Sequence, residues 1–141
     1  MAQPEILIIE SSRASDQAAG RAEGPIIDRA LRLLGQNPIY RIVECESDLA
    51  LASRILARER SHVVHFSCHG CPDGVELTDG IFVGWRDLLG HFAFRQRQIL
   101  SFSSCDVMSG DGICKAALEC DEPPVALFGF AEEVAWDTAA L

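Results

Sequence analysis

Five short apolar runs punctuate the chain, at Ile6–Ile9, Ile39–Val43, His62–Phe66, Ile99–Ser103 and Val125–Phe128. They are β-branched or aromatic and mostly continuous rather than alternating, the pattern of strands buried on both faces of a parallel sheet. Helical periodicity fills the intervals between them. Pro25 opens one helix in its first turn, Ile27, Ala30, Leu31 and Leu34 form its apolar stripe, and Gly35 stands where a C-cap glycine belongs. Ser47 is placed to cap a second helix, whose Leu49, Ala52, Ile55 and Leu56 share a face. A third is expected from Trp85 to near Phe92 and a fourth from near Gly112 to Cys120. Strands alternating with helices predict an α/β fold of three layers, with right-handed crossovers around a mostly parallel central sheet. Two segments break the rhythm. Ser11–Glu23, rich in Ser, Ala, Gly and charge, reads as a mobile loop. Cys71–Gly84 carries Asp73-Gly74 and Asp79-Gly80 among short apolar runs, which is a hairpin signal.

Two of the runs end in chemistry. The third continues into His65-Phe66-Ser67-Cys68-His69-Gly70, and the fourth into Leu100-Ser101-Phe102-Ser103-Ser104-Cys105. Adjacent parallel strands lie about 4.8 Å apart, and open α/β sheets bind ligands at their carboxyl ends. Neighbouring strands would therefore bring His69 and Cys105 to one crevice. A free thiol is mostly protonated at neutral pH, so a nucleophilic cysteine needs such a base. Gly70 has no Cβ to obstruct its N–H, which together with that of Cys105 could hold a developing oxyanion. A lone cysteine after a strand is usually a small buried residue, and a lone His-Gly is weak. The two in these positions favour a catalytic pair.

The arrangement resembles the caspase-like cysteine peptidases, most closely the CHAT branch. The resemblance rests on His65-Phe66-Ser67-Cys68-His69-Gly70, on Gly74-Val75-Glu76-Leu77-Thr78-Asp79-Gly80 and on Ser103-Ser104-Cys105, in order and spacing from Ile6 to near Phe130. It implies a single caspase-like domain over residues 1–141 and peptide hydrolysis, with His69 as base and Cys105 as nucleophile. The chain departs from the pattern in three ways. Gln-Ala-Cys is absent, so aspartate specificity is not implied. Asp106-Val107-Met108-Ser109-Gly110 stands where many CHAT proteins have Glu-Thr-Gly. The chain also stops soon after the fifth strand, where the family core continues. A truncated domain or a partner chain that completes or regulates the fold is therefore expected. The resemblance implies a peptidase working within a regulatory or defence assembly, and the alternative is a catalytically idle interaction module.

Charge narrows the partners. The formal net charge is -9, which argues against nucleic acid and anionic membranes. From Gln98 onward eight acids stand against Lys115 alone, a balance of -7 that leaves -2 for the rest. An acidic surround of Cys105 suits a protein or peptide substrate with a basic P1 side chain. Asp106 is the first candidate to meet it and Glu132 or Asp137 the next, although Asp106 serves equally well as a turn cap. The start lacks a basic n-region and a long apolar core, so a cytoplasmic protein is expected, with its six cysteines as reduced thiols. Cys68-His69-Gly70-Cys71 has zinc or redox spacing, but no second Cys/His pair lies nearby in sequence. No metal or cofactor is expected. His65 reads as a core histidine.

Overall fold

The computed structural model describes residues 5–59, 61–92, 94 and 98–135. Among these residues, seven strands and five helices run in the order β1 (Ile6–Ser11), α1 (Ala14–Ala18), α2 (Gly24–Leu33), β2 (Ile39–Ile42), α3 (Glu46–Glu59), β3 (Val63–Cys71), β4 (Gly74–Glu76), β5 (Phe82–Gly84), α4 (Trp85–Gly90), β6 (Ile99–Ser103), α5 (Gly112–Leu118) and β7 (Ala126–Phe128). Strands β2, β1, β3, β6 and β7 lie side by side and parallel. The expected three-layer α/β architecture is present, and all five expected strands are found within a residue or two at most ends. β3 is the exception, since it runs on to Cys71. Its first residues pair with β6, as far as Ser67 opposite Ser103. Its last three pair antiparallel with β4, His69 opposite Glu76. Strands β4 and β5 then complete the small hairpin unit. His69 and Gly70 therefore lie inside a strand rather than beyond its end.

The register divides the sheet into a dry face and a polar one, because paired residues point to the same side. Leu7, Val64 and Leu100 form one row of the dry face, and Ile9, Phe66 and Phe102 the next. All six are at most 2% exposed. They join one cluster with Leu49, Ala52 and Leu56 of α3, Trp85 and Leu88 of α4, and Ile113 and Ala117 of α5. Phe66 stacks on Phe102 at 4.8 Å between ring centroids, and Trp85 meets Phe102 edge-on at 5.6 Å. The Trp85 indole N–H donates to the Pro72 carbonyl at 2.7 Å, which ties α4 to the hairpin. The other face reads Ile8, His65 and Ser101 in one row and Glu10, Ser67 and Ser103 in the next. Tyr40, beside Ile8, donates to the Glu10 carboxylate. Gly24 at the start of α2 packs so closely here that a Cβ would sit 2.3 Å from the Tyr40 ring.

Several local expectations change. Ser11–Glu23 is not a loop throughout. It holds α1, and Ser11, Ser12 and Glu23 are buried. Hydrogen bonds from Thr78 hold the two serines, since its hydroxyl donates to the Ser12 carbonyl at 2.9 Å and its N–H to the Ser11 hydroxyl at 3.0 Å. Ser47 does not cap α3, which begins at Glu46. Asp48 does the capping instead, accepting from the N–H groups of Glu44 and Cys45 at 3.0 and 3.3 Å. These bonds hold its carboxyl below the usual range. In α2 the expected stripe is thin, with Ile27 and Leu31 half-buried and Leu34 exposed. Gly35 follows α2 at φ +77°, with its N–H bonded to the Arg32 carbonyl and that of Gln36 to Leu31, the glycine C-cap the sequence predicts.

Candidate active site

The polar face leads directly to the carboxyl ends of β3 and β6. Alternate residues of the two strands share this face, so His65 and Ser67 stand beside Ser101 and Ser103, and His69 and Cys105 follow two residues further along their chains. His69 and Cys105 both border a pocket of about 340 Å³, together with Ser12, Arg13, Asp16 and Glu23 from the segment after β1 and with Glu133 and Val134 near the end of the described chain. Gly70 packs tightly on the cysteine. A Cβ at that position would lie 2.8 Å from the Cys105 carbonyl oxygen and 2.8 Å from the Ser104 Cβ. Only glycine lets the β3 backbone come this near the main chain of Cys105.

His69 is oriented by Asp16 of α1, within the segment expected to be a loop. Its Nε2 is 2.7 Å from Asp16 Oδ2. The helix that carries Asp16 is itself held. Arg13, at its N-cap, makes two hydrogen bonds to Glu76 at 2.8 and 2.7 Å, and Arg21 lies 3.8 Å from the other Asp16 oxygen. Beneath the pair sits Glu23, which is 6% exposed. The Ser103 hydroxyl donates to it at 2.8 Å, and His65 Nε2 lies 3.6 Å away, an ion-pair distance too long for a hydrogen bond. Burial works against ionisation of Glu23, but His65 and the Ser67 and Ser103 hydroxyls outweigh it and hold the carboxyl below its usual range. His65 is thus part of a polar network, with Nδ1 3.2 Å from the Ser101 hydroxyl, rather than the packed core histidine of the sequence reading.

The two thiols nearest the histidine differ. Burial pushes the Cys68 thiol up to about 12, against the pull of a 3.1 Å hydrogen bond to Ser104. Cys105 meets the main chain of Val134, whose N–H donates to the sulfur at 3.4 Å and whose carbonyl lies 3.6 Å from it. All six cysteines are free, and no three metal-ligating side chains converge among the described residues.

The acids expected to receive a substrate cation are placed differently. Asp106 and Glu132 are not among the walls of the pocket. Asp106 has φ 56°, its N–H bonds the Glu132 carbonyl at 3.2 Å, and its carbonyl accepts from Ser109, so it forms the turn after β6. Asp137 lies outside the described residues. Two of the C-terminal acids are engaged elsewhere, Asp111 with Lys115 and Glu119 with Arg86. Glu133 lines the pocket, and the other two acids there, Asp16 and Glu23, come from the N-terminal segment. The one signal in the sequence for the polar row is the alternation of His65 with Ser67 and of Ser101 with Ser103 at the ends of otherwise continuous runs; nothing marks Asp16. No family model and no curated protein sequence matches the chain.

Proposed function

We propose that the chain is a caspase-like cysteine peptidase of CHAT type, with Cys105 as nucleophile and His69 as base. The observation that carries this reading is the shared pocket, in which a histidine already held by a carboxylate faces the same space as a cysteine at the neighbouring strand end. The proton of the Cys105 thiol passes to His69, and the thiolate adds to the scissile carbonyl carbon. The oxyanion forms beside the N–H groups of Gly70 and Cys105. His69 returns the proton to the departing amine, leaving a thioester that water, deprotonated by the same imidazole, hydrolyses. A basic P1 side chain fits best. Arg13 is committed to Glu76, whereas Glu23 and Glu133 line the pocket as carboxylates.

A scan of fluorogenic peptides varied at P1 tests this. Cleavage after Arg or Lys, abolished by Cys105→Ala and by His69→Ala, is the expected result. Cleavage that persists in Cys105→Ala rejects the nucleophile, and a preference for Asp rejects the carboxylate subsite. A second reading has its own support in the contact between Val134 and the Cys105 sulfur, which covers the thiol from one side. Absence of cleavage with every peptide, alongside slow alkylation of Cys105, favours the idle interaction module.

A further inference from the structure

We infer that Asp16 is a positioning residue that fixes the tautomer of His69 and makes Nδ1, not Nε2, the nitrogen that serves Cys105. The inference deepens the peptidase reading and takes the nucleophile from it, but its central test does not require peptide cleavage. A carboxylate has no proton to give, so at 2.7 Å from Asp16 Oδ2 the His69 Nε2 must be the protonated nitrogen. A neutral imidazole carries one N–H, which leaves the lone pair on Nδ1. Without that constraint both tautomers are populated, and in one of them Nδ1 already bears a proton and cannot take another. When the thiol proton moves to Nδ1, the imidazolium lies against the Asp16 carboxylate, and the ring is still held in place.

The surroundings show that this contact is built into the fold. Asp16 lies on α1, a segment tied at Ser11 and Ser12 to Thr78 and at Arg13 to Glu76. Both anchors belong to the chain that follows His69, and Glu76 is its register partner across the hairpin. The histidine and its orienting acid are thus fastened to the same small unit although they are 53 residues apart in sequence. Glu23, the buried carboxylate of the pocket, is already engaged by Ser103 and lies near His65, so it does not take this role.

The test uses the intact chain labelled with ¹⁵N. Two-bond ¹H–¹⁵N spectra at a pH where the ring is neutral report which nitrogen carries the proton, with His69 assigned by its loss in His69→Ala. The wild-type protein should show the Nε2–H form. Asp16→Ala should show mixed tautomers and a Cys105 alkylation rate at neutral pH lower by about tenfold or more, with an unfolding midpoint near that of the wild type. Asp16→Glu keeps the carboxylate and should recover part of the rate. If Asp16→Ala does not fold, Asp16→Asn serves in its place. Its amide both donates and accepts, so the tautomers should again mix. An unchanged Nε2–H form with unchanged alkylation in either variant overturns the inference, as does an Nδ1–H form in the wild type. If the wild type shows the expected tautomer and the variants shift it, but no peptide is cleaved, the peptidase reading fails and the role of Asp16 stands.

Discussion

At the scale of single residues, the site depends on how close two backbones come. Gly70 has no space for a methyl group, because the Cys105 carbonyl and the Ser104 Cβ, both on main chain or next to it, would each be 2.8 Å from it. Gly70→Ala is expected to cost about 1–3 kcal/mol in urea unfolding, the range for overpacking, and to slow Cys105 alkylation as the strand ends part. Gly90→Ala is the control. It stands at the end of α4 with nothing within 4 Å of the added Cβ, so it should be neutral or stabilise by about 0.4–1 kcal/mol. A stable, fully reactive Gly70→Ala would show that the close approach is dispensable. Thiol identity is a second prediction at this scale. Cys68 adjoins His69 in sequence, yet burial holds its thiol at about 12. After a short exposure to iodoacetamide near neutral pH, peptide mapping should find Cys105 modified and Cys68 intact. Modification of Cys68 first would transfer the nucleophile assignment to it.

At the scale of elements, the site joins pieces whose sequence signals differ in strength. The five parallel strands were legible because continuous β-branched runs have few other uses, and the hairpin because Asp-Gly turns restrict the backbone. His69 and Cys105 were legible because both mark the ends of such runs. α1 was not. Its five residues, Ala14–Ala18, bury none of their own, so no apolar period exists to be read. It is placed by distant hydrogen bonds, one donated by Thr78 to Ser12 and another donated by Arg13 to Glu76, which the local sequence does not announce. Glu23 escaped for the same reason, since its partners lie on β3 and β6. These two cases give separate predictions. The Arg13–Glu76 pair is largely exposed, so Glu76→Gln should shift stability by less than about 1 kcal/mol. It should still slow Cys105 alkylation, because the pair anchors the helix that bears Asp16. Equal alkylation in Glu76→Gln and wild type would mean that α1 is held well enough without it. For Glu23 the sign follows from its depressed carboxyl. A group held below its unfolded range stabilises the fold above that range and loses the contribution as pH falls through the folded value. Glu23→Gln should therefore cost about 1–2 kcal/mol near pH 7. The difference from wild type should shrink as pH drops below about 4, the unfolded carboxyl range. A difference that is constant across this window would remove ionised Glu23 from the account.

At the scale of the whole molecule, the balance between the field of the chain and the charges of the pocket decides which substrates approach. The formal net charge is -9, and no described helix is long and apolar enough to cross a membrane. The pocket mixes signs, with Asp16, Glu23 and Glu133 set against Arg13 and Arg21. Asp16 holds His69 and Arg13 holds Glu76, so much of this charge is compensated locally. The long-range field is therefore expected to dominate approach, while Glu23 and Glu133 act at contact. Small thiol reagents of opposite charge separate this field from peptide recognition. A cationic methanethiosulfonate should modify Cys105 faster than an anionic one, by about tenfold or more at low salt after division by the same ratio for free cysteine. The advantage should contract as ionic strength rises, since the screening length falls from about 30 Å at 0.01 M to about 3 Å at 1 M. The part that survives high salt measures the carboxylates at the site, and Glu133→Gln should reduce that residue without altering the salt slope much. An anionic reagent that reacts faster at every salt concentration would place the two arginines, rather than the acids, in command of the pocket. The basic P1 preference would then fall with it, whatever the histidine and cysteine do.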